Sequence, residues 1–222
     1  MFEESPARTR VKICGLTNLQ DARFASGEQA DFLGFIFYEG SKRYIEPSEA
    51  GAIIHWLEGP ATVGVFVNEE LDTVNDIARR TGVDYVQLHG EESPEYCGMM
   101  EKKVIKTFRV NNETSPEELK KTLQPYHGIL DYFLFDTKVK GEHGGTGQTF
   151  DWNILKDVAD DTPFFLAGGI TPENVKAACN AVQPFAIDLS SGVEMEPGIK
   201  DYDKIEQLFE GLRQVWTHQE ES

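Results

Sequence analysis

The chain has 222 residues, of which 40% are hydrophobic, and its 21 basic and 38 acidic residues give a formal net charge of −17. This length could hold two small domains, but we start from one domain with a single sizeable core. The negative charge argues against nonspecific binding to nucleic acid or to an anionic membrane, because both require a basic face.

The cysteines and the N-terminus indicate the compartment. Cys14, Cys97 and Cys179 are too few and too scattered for a disulfide framework or a zinc site, and they suit a reducing environment. The first ten residues lack the apolar core of a signal peptide, and no window approaches ~18 uninterrupted apolar residues. We therefore expect a cytoplasmic protein with free thiols and no membrane span.

Apolar runs of strand length recur along the chain, with amphipathic segments between them. The runs cover residues 11–14, 32–37, 62–67, 83–88, 103–108, 129–135, 163–167 and 185–189. Parallel strands joined by helical crossovers give near-continuous apolar runs, because both of their faces are buried. Eight such units predict a single (β/α)8 barrel, and an open doubly wound sheet is the alternative.

The segments between the runs carry helix signals. Asn18 and Ser115 are expected N-caps, Pro47 opens a helix, and Gly82 ends one. Three further helices are predicted over residues 150–158, 171–182 and 201–216. Thr171 is the expected N-cap of the second of these.

Polar side chains stand at the C-terminal ends of the predicted strands, where the functional side chains of this barrel lie. They are Cys14, Gln87, His89, Asp136, Asp188 and Ser190. Side chains alternate along a strand, so Lys12 shares a face with Cys14. A thiol and a carboxylate can therefore face one cavity.

Cys14 has two interpretations. Free cysteine usually packs as a small hydrophobe, whereas a thiol at a strand end before a glycine lies at the barrel mouth, where Lys12 can stabilise a thiolate. Cys97 and Cys179 lie in helical segments and keep the packing interpretation. Asp136 follows the apolar YFLF, so its carboxylate must be solvated, paired or functional.

Glycine-rich turns follow the last three strands: GGTG (144–147), AGGI (167–170) and SSG (190–192). Backbone NH groups in such turns hold phosphate without much positive charge, and this barrel often binds phosphate there. The candidate residues are Gly144, Gly145, Gly168, Gly169, Ser190, Ser191 and Gly192. Arg43 is the basic candidate in a mouth loop, where a guanidinium can bind a carboxylate through two hydrogen bonds, although most loop arginines are simply solvated.

Several motifs, in order and at barrel spacing, resemble phosphoribosylanthranilate isomerase, a cofactor-free (β/α)8 enzyme of tryptophan biosynthesis. They are VKICGLTN, GFIFYEGSKRYI, VGVFVNEE, VQLHGEE, LFDTKVKGEHGGTGQTFDW, LAGGITPENV and PFAIDLSSGVEMEPGIKD. The resemblance runs from about residue 10 to the final helix. It implies a catalytic barrel over residues 10–222 and leaves residues 1–9 as a flexible extension.

The resemblance also implies roles for the site residues. Cys14 is then the general base and Asp136 the general acid of an Amadori rearrangement of N-(5-phosphoribosyl)anthranilate to 1-(2-carboxyphenylamino)-1-deoxyribulose 5-phosphate. Arg43 is expected to hold the anthranilate carboxylate. The glycine loops, with Asp188, Ser190 and Ser191, are expected to surround the phosphate and ribose, and Gln87 and His89 to contact the substrate. We expect no metal or cofactor, a small phosphorylated substrate, and a monomer or homodimer.

This mechanism needs a protonated Asp136 and a thiolate at Cys14, whereas ordinary pKa values of about 3.9 and about 8.5 favour the opposite forms at neutral pH. We expect the site either to move both pKa values toward neutrality or to work through a minority form.

Two other classes of protein remain open. Another phosphate-binding barrel is possible, but the histidine-pathway sugar isomerase uses aspartate where this chain has Cys14. Indoleglycerol-phosphate synthase uses a catalytic lysine in a different first strand. The other class is a catalytically silent barrel that binds phosphorylated ligands. Cys14 and Asp136 together count against it, because a pure binder needs no matched acid and base.

Overall fold

Eight parallel strands close into a barrel in chain order, so that β1 pairs with both β2 and β8. The computed structural model describes residues 8–137, 150–156, 158 and 162–220, without the side chains of residues 218–220. The strands are β1 (Arg10–Cys14), β2 (Phe32–Ile36), β3 (Ala61–Phe66), β4 (Tyr85–Leu88), β5 (Lys103–Val110), β6 (Tyr132–Thr137), β7 (Phe164–Leu166) and β8 (Ala186–Leu189). The predicted (β/α)8 barrel is confirmed.

Helices surround the barrel. They are α1 (Leu19–Gly27), α2 (Pro47–Ile54), α3 (Leu71–Thr81), α4 (Pro94–Gly98), α5 (Pro116–Leu123), α6 (Val175–Val182) and α7 (Tyr202–Glu220). Asn18 caps α1 by accepting from the Asp21 backbone NH at 2.8 Å, and Ser115 forms a capping box with Glu118. Gly82 ends α3 in the left-handed conformation, with φ of 79°. These predicted helix ends are confirmed.

Two helix predictions need correction. Asn174, not Thr171, is the N-cap of α6. Its side chain accepts from the Thr171 NH at 2.9 Å and donates to the Gly169 carbonyl at 2.7 Å, which holds the preceding residues in a turn and delays the helix. Within residues 150–158 the described part forms a 3-10 helix, Trp152–Leu155, because its backbone hydrogen bonds join residues three apart.

The inward faces of the strands divide the barrel interior into an apolar and a polar part. The apolar part contains Phe32, Val63, Ile105, Leu134, Phe165 and Ala186. Two residues further along β5, β6 and β8, the inward side chains Thr107, Asp136 and Asp188 are polar and buried, and Lys12 of β1 and Gln87 of β4 are polar and buried as well. A second, larger apolar cluster packs the helices against the outside of the barrel. The barrel interior is therefore filled with apolar side chains toward the N-terminal ends of the strands, and a polar chamber lies at their C-terminal ends.

The sequence did not predict a short antiparallel hairpin after β8, formed by β9 (Glu194–Glu196) and β10 (Ile199–Lys200). At the other end of the chain, Arg8 forms an ion pair with Asp31 at 2.9 Å, and the Thr9 carbonyl accepts from the Trp216 indole at 3.0 Å. Residues 1–7 lie outside the described part, so the flexible extension over residues 1–9 stays a prediction. Among the described helices, none has the length and apolar character that crossing a membrane requires.

Candidate active site

The polar chamber opens into a cavity of ≈ 670 Å³, counted with its space open to solvent. Its lining includes every predicted site residue that falls in the described ranges: Cys14, Arg43, Gln87, His89, Asp136, Gly168, Gly169, Asp188, Ser190, Ser191 and Gly192. Gly144 and Gly145 lie outside the described residues. Strand ends from across the barrel thus bring the predicted thiol, carboxylates and glycine turns to one place.

Cys14 stands at the end of β1 beside a buried ion pair. Lys12 Nζ donates to Asp188 Oδ2 at 2.9 Å, and both side chains are buried. Burial lowers the pKa of Lys12, but the attraction of Asp188 and Cys14 outweighs it and leaves that pKa above its ordinary value. The ammonium therefore stays charged next to the thiol.

Burial raises the pKa of the Cys14 thiol, and Lys12 opposes this change only in part. The direction is opposite to the lowering expected from the sequence, because desolvation of a fully enclosed thiolate costs more than one neighbouring ammonium returns. The thiol form therefore dominates at neutral pH, and the thiolate is a minority form.

Asp136 ends β6 and faces His89. Asp136 Oδ1 accepts from the Thr137 backbone NH at 2.8 Å, while Oδ2 lies 3.4 Å from His89 Nε2, outside hydrogen-bond geometry. Gln87 Nε2 lies 3.1 Å from His89 Nδ1 and Thr107 Oγ1 lies 3.3 Å from it. With the Gln87 amide nitrogen as donor, Nδ1 is the acceptor and the imidazole proton is on Nε2, toward Asp136.

The glycine turn after β7 passes directly over the end of β6. Gly168 has φ of +81°, and a Cβ added there would lie 2.5 Å from the Thr137 backbone nitrogen and 2.7 Å from Asp136 Oδ1. A side chain at this position would therefore displace the carboxylate. On the adjacent strand β8 and directly after it, Asp188 Oδ1 and Ser190 Oγ are buried and have no hydrogen-bond partner among the described residues. Such atoms are suited to a polar ligand in the cavity.

Arg43 reaches the cavity from the loop after β2. Its Nε donates to Glu194 Oε1 at 2.9 Å, and its Nη2 donates to Glu194 Oε2 at 2.7 Å. Lys200 Nζ donates to the same carboxylate at 2.8 Å and to the Cys14 carbonyl at 2.6 Å. The partly buried Arg43, which lines the cavity, thus joins two buried charges at the cavity mouth, and we call the three residues the mouth triad: Arg43, Glu194 and Lys200.

The sequence model of one protein family, described as N-(5'phosphoribosyl)anthranilate (PRA) isomerase, matches residues 11–211. The chain belongs to this family. It is therefore an enzyme, an isomerase of tryptophan biosynthesis, and the resemblance seen in its motifs is confirmed. Neither a silent binding barrel nor a different sugar-phosphate isomerase agrees with this match.

Individual members of the family agree with this assignment. The N-(5'-phosphoribosyl)anthranilate isomerase of Geobacter metallireducens is 45% identical over 200 residues, which cover 90% of this chain and 96% of the relative. The crystal structure of the phosphoribosyl anthranilate isomerase from Thermotoga maritima has a TM-score of 0.85 at 42% identity, covering 93% of this chain and 99% of that one. The crystal structure of a phosphoribosyl anthranilate isomerase in complex with reduced 1-(o-carboxyphenylamino)-1-deoxyribulose 5-phosphate has a TM-score of 0.81 at 39% identity, covering 93% of this chain and 99% of that one.

Sequence reasoning missed two charged residues of this isomerase site, Glu194 and Lys200. Both fall inside the motif PFAIDLSSGVEMEPGIKD, but neither follows a predicted strand directly. The available signal was the turn sequence EPG between two short segments, which is typical of a hairpin. Only the fold shows that this hairpin buries its charges against the loop that carries Arg43.

Proposed function

We propose that this chain rearranges N-(5'-phosphoribosyl)anthranilate to 1-(2-carboxyphenylamino)-1-deoxyribulose 5-phosphate with Cys14 as general base and Asp136 as general acid. The observation that carries the proposal is that the thiol and the carboxylate line the same cavity, with glycine turns and a guanidinium at its margins. A related isomerase crystallised with a reduced form of this product supports the choice of substrate.

The chemistry needs one acid and one base. Asp136 gives a proton to the ring oxygen, the bond from that oxygen to C1 breaks, and the nitrogen lone pair forms an iminium. Cys14 then removes the proton from C2, and the C2–H electron pair neutralises the iminium to give an enolamine, which tautomerises to the ketone. The iminium is the electron sink, so this route requires no metal or organic cofactor.

Neighbouring groups support the two proton transfers. The Lys12 ammonium stabilises the thiolate of Cys14 and stays charged through Asp188. His89, oriented by Gln87 and Thr107, presents its Nε2 to Asp136 at the edge of the cavity. The cavity lining from Gly168, Gly169, Ser190, Ser191 and Gly192 suits a phosphate, since backbone NH groups and hydroxyls bind anions.

We place this enzyme in the cytoplasm as a monomer or homodimer that acts on a small phosphorylated substrate and binds neither nucleic acid nor membrane. The strongly acidic composition supports the last two points. A dimeric relative is known from Thermotoga maritima. Loss of anthranilate-type fluorescence on addition of purified protein tests the activity, and light scattering tests the oligomeric state. Absence of turnover in a folded protein would contradict the proposed function.

Replacing Arg43 with Ala is expected to raise KM, with a smaller effect on kcat. The guanidinium grips the substrate carboxylate in the ground state and the transition state alike, and loss of such uniform binding appears in KM. Steady-state kinetics measures both constants. Arg79→Ala is the matched control, because Arg79 is half-exposed and pairs with Glu101 on the outer surface. A loss confined to kcat would reject the carboxylate role of Arg43.

The alkaline limb of kcat/KM is expected to lie at or above the ordinary thiol pKa of about 8.5. The active form needs a protonated Asp136 and a thiolate together, so the higher of the two pKa values sets that limb, whichever group it belongs to. Burial raises the pKa of Cys14, so this higher value lies above the ordinary range. The rate of alkylation of Cys14 against pH gives the thiol pKa independently. An alkylation midpoint well below about 8.5 would contradict the expected direction.

A further inference from the structure

The mouth triad joins the predicted carboxylate-binding residue to the hairpin β9–β10. Glu194 is nearly enclosed, with its side chain 4% exposed, and Lys200 is fully enclosed at 0%. The Glu194 carboxylate takes hydrogen bonds from Arg43 Nε, from Arg43 Nη2 and from Lys200 Nζ. A buried carboxylate with three charged donors is fixed in position, because moving it would leave a charge unpaired.

The geometry divides the guanidinium of Arg43 into a held edge and an open edge. A guanidinium has five N–H groups in a planar fork, and Glu194 engages one on Nε and one on Nη2. One N–H on Nη1 and the second N–H on Nη2 lie parallel along the end of the fork, and this edge can take a second carboxylate through two parallel hydrogen bonds. Arg43 also lines the cavity, and we place the open edge on the cavity side.

Charge balance explains why Lys200 belongs to the mouth triad. Arg43 and Glu194 alone would form a neutral pair, and the guanidinium would attract a second anion only weakly. Lys200 Nζ lies 2.8 Å from the same carboxylate, and in its protonated form it gives the triad a net charge of +1. Burial lowers the pKa of Lys200 below its ordinary value, and the charge of Glu194 opposes this change in part. The burial of Glu194 raises the pKa of its carboxyl, but hydrogen bonding from Arg43 and the charge of Lys200 outweigh this effect and keep its pKa below the ordinary value.

We propose that Glu194 is a positioning residue for the carboxylate of the substrate. It holds one edge of the Arg43 guanidinium so that the other edge is presented to the cavity, while Lys200 supplies the charge that keeps Arg43 attractive to an anion. The inference rests on the proposed role of Arg43. It assigns recognition of the aryl carboxylate to the hairpin after β8 as well as to the loop after β2.

A double-mutant cycle tests this role. Glu194→Gln has nearly the same shape but loses one acceptor, so the Arg43 guanidinium is no longer held in place. The substitution also makes the triad more positive, but we expect the loss of position to dominate and to raise KM by roughly 10-fold, the size of a lost hydrogen bond to a charged group. The value of kcat is expected to change little. In an Arg43→Ala background the same substitution is expected to leave KM nearly unchanged, because the residue on which Glu194 acts is gone.

The outcomes separate this inference from the proposed function. A folded Glu194→Gln protein with unchanged KM overturns the inference, and so does a KM increase that persists undiminished in the Arg43→Ala background. If Arg43→Ala alone leaves KM unchanged, the carboxylate role of Arg43 fails instead. If Glu194→Gln does not fold, the same cycle is run with Glu194→Asp, which keeps the charge but is too short to hold both guanidinium nitrogens.

Lys204→Met is the matched control for damage to the hairpin. Lys204 Nζ donates to the Glu194 backbone carbonyl at 2.8 Å and does not touch the carboxylate. This substitution therefore loosens the hairpin without changing the partner of Arg43, and we expect KM to stay within about twofold of the parent value. An increase equal to that of Glu194→Gln would show that hairpin stability, rather than the carboxylate, controls KM, and would overturn the inference.

Discussion

Replacing Cys14 with Ala is expected to lower kcat by roughly 10²–10⁴, the usual contribution of a general base, without loss of the fold. The thiol is the group that we propose to take the C2 proton, and Ala leaves no acceptor in its place. The side chain is small, so its removal leaves only a small cavity and a modest loss of stability. Near-normal turnover in a folded Cys14→Ala protein would return Cys14 to the packing interpretation.

Cys179→Ala is the matched control for this substitution. Cys179 is fully buried in α6, away from the cavity lining, and we expect its replacement to reduce stability but to leave kcat unchanged. Alkylation gives a second comparison. All three thiols are buried, but Cys14 lines the cavity and is 6% exposed, against 2% for Cys97 and 0% for Cys179. A thiol-specific reagent is therefore expected to inactivate the enzyme at Cys14 first, and bound product to protect it.

The sequence was sufficient for the barrel and for most of its cavity lining because both follow from local patterns. Strand runs, caps such as Asn18 and Ser115, and strand-end side chains such as Cys14 and Asp136 are set by a few adjacent residues. Parallel strands bring their C-terminal ends to one edge, so residues far apart in the chain meet without any further information.

The mouth triad could not be predicted in the same way. Arg43 and Glu194 are 151 positions apart, and their contact depends on how a two-strand hairpin folds back over the barrel mouth. Strands of two and three residues produce no apolar run that can be recognised in a sequence. The prediction of Thr171 as the N-cap of α6 failed for a similar reason. The side chain of Asn174 hydrogen-bonds to the backbone of Gly169 and Thr171, and these bonds compete with helix formation.

The direction of the Cys14 pKa change could also not be predicted from the sequence. Strand parity correctly placed Lys12 beside the thiol, and an adjacent ammonium by itself lowers a thiol pKa. Whether the pKa of Cys14 rises or falls depends on how completely the barrel encloses the thiol and the Lys12 ammonium, which is a property of the packed structure. A raised thiol pKa also means that the few thiolates present are stronger bases toward the C2 proton.

Replacing Asp136 with Asn is expected to lower kcat by a similar factor, roughly 10²–10⁴, because an amide cannot transfer a proton to the ring oxygen. The amide keeps the shape of the side chain, and its oxygen can still accept from the Thr137 NH that now binds Oδ1 at 2.8 Å. We therefore expect a folded protein with KM close to normal. Asp84→Asn is the matched control: Asp84 accepts from the Thr62 NH at 2.8 Å at the opposite end of the barrel, so its loss should affect stability and not kcat.

Deuterium at C2 of the substrate distinguishes the acid from the base. In Cys14→Ala, removal of the C2 proton limits the rate, so kcat should show a large primary isotope effect. In Asp136→Asn, ring opening comes first and becomes limiting, so the isotope effect on kcat should fall close to one. If both variants show the same isotope effect, Asp136 does not act at a separate earlier step, and its assignment as the general acid fails. If the effects are reversed, the two roles are exchanged, and the ammonium of Lys12 lies beside the acid instead of the base.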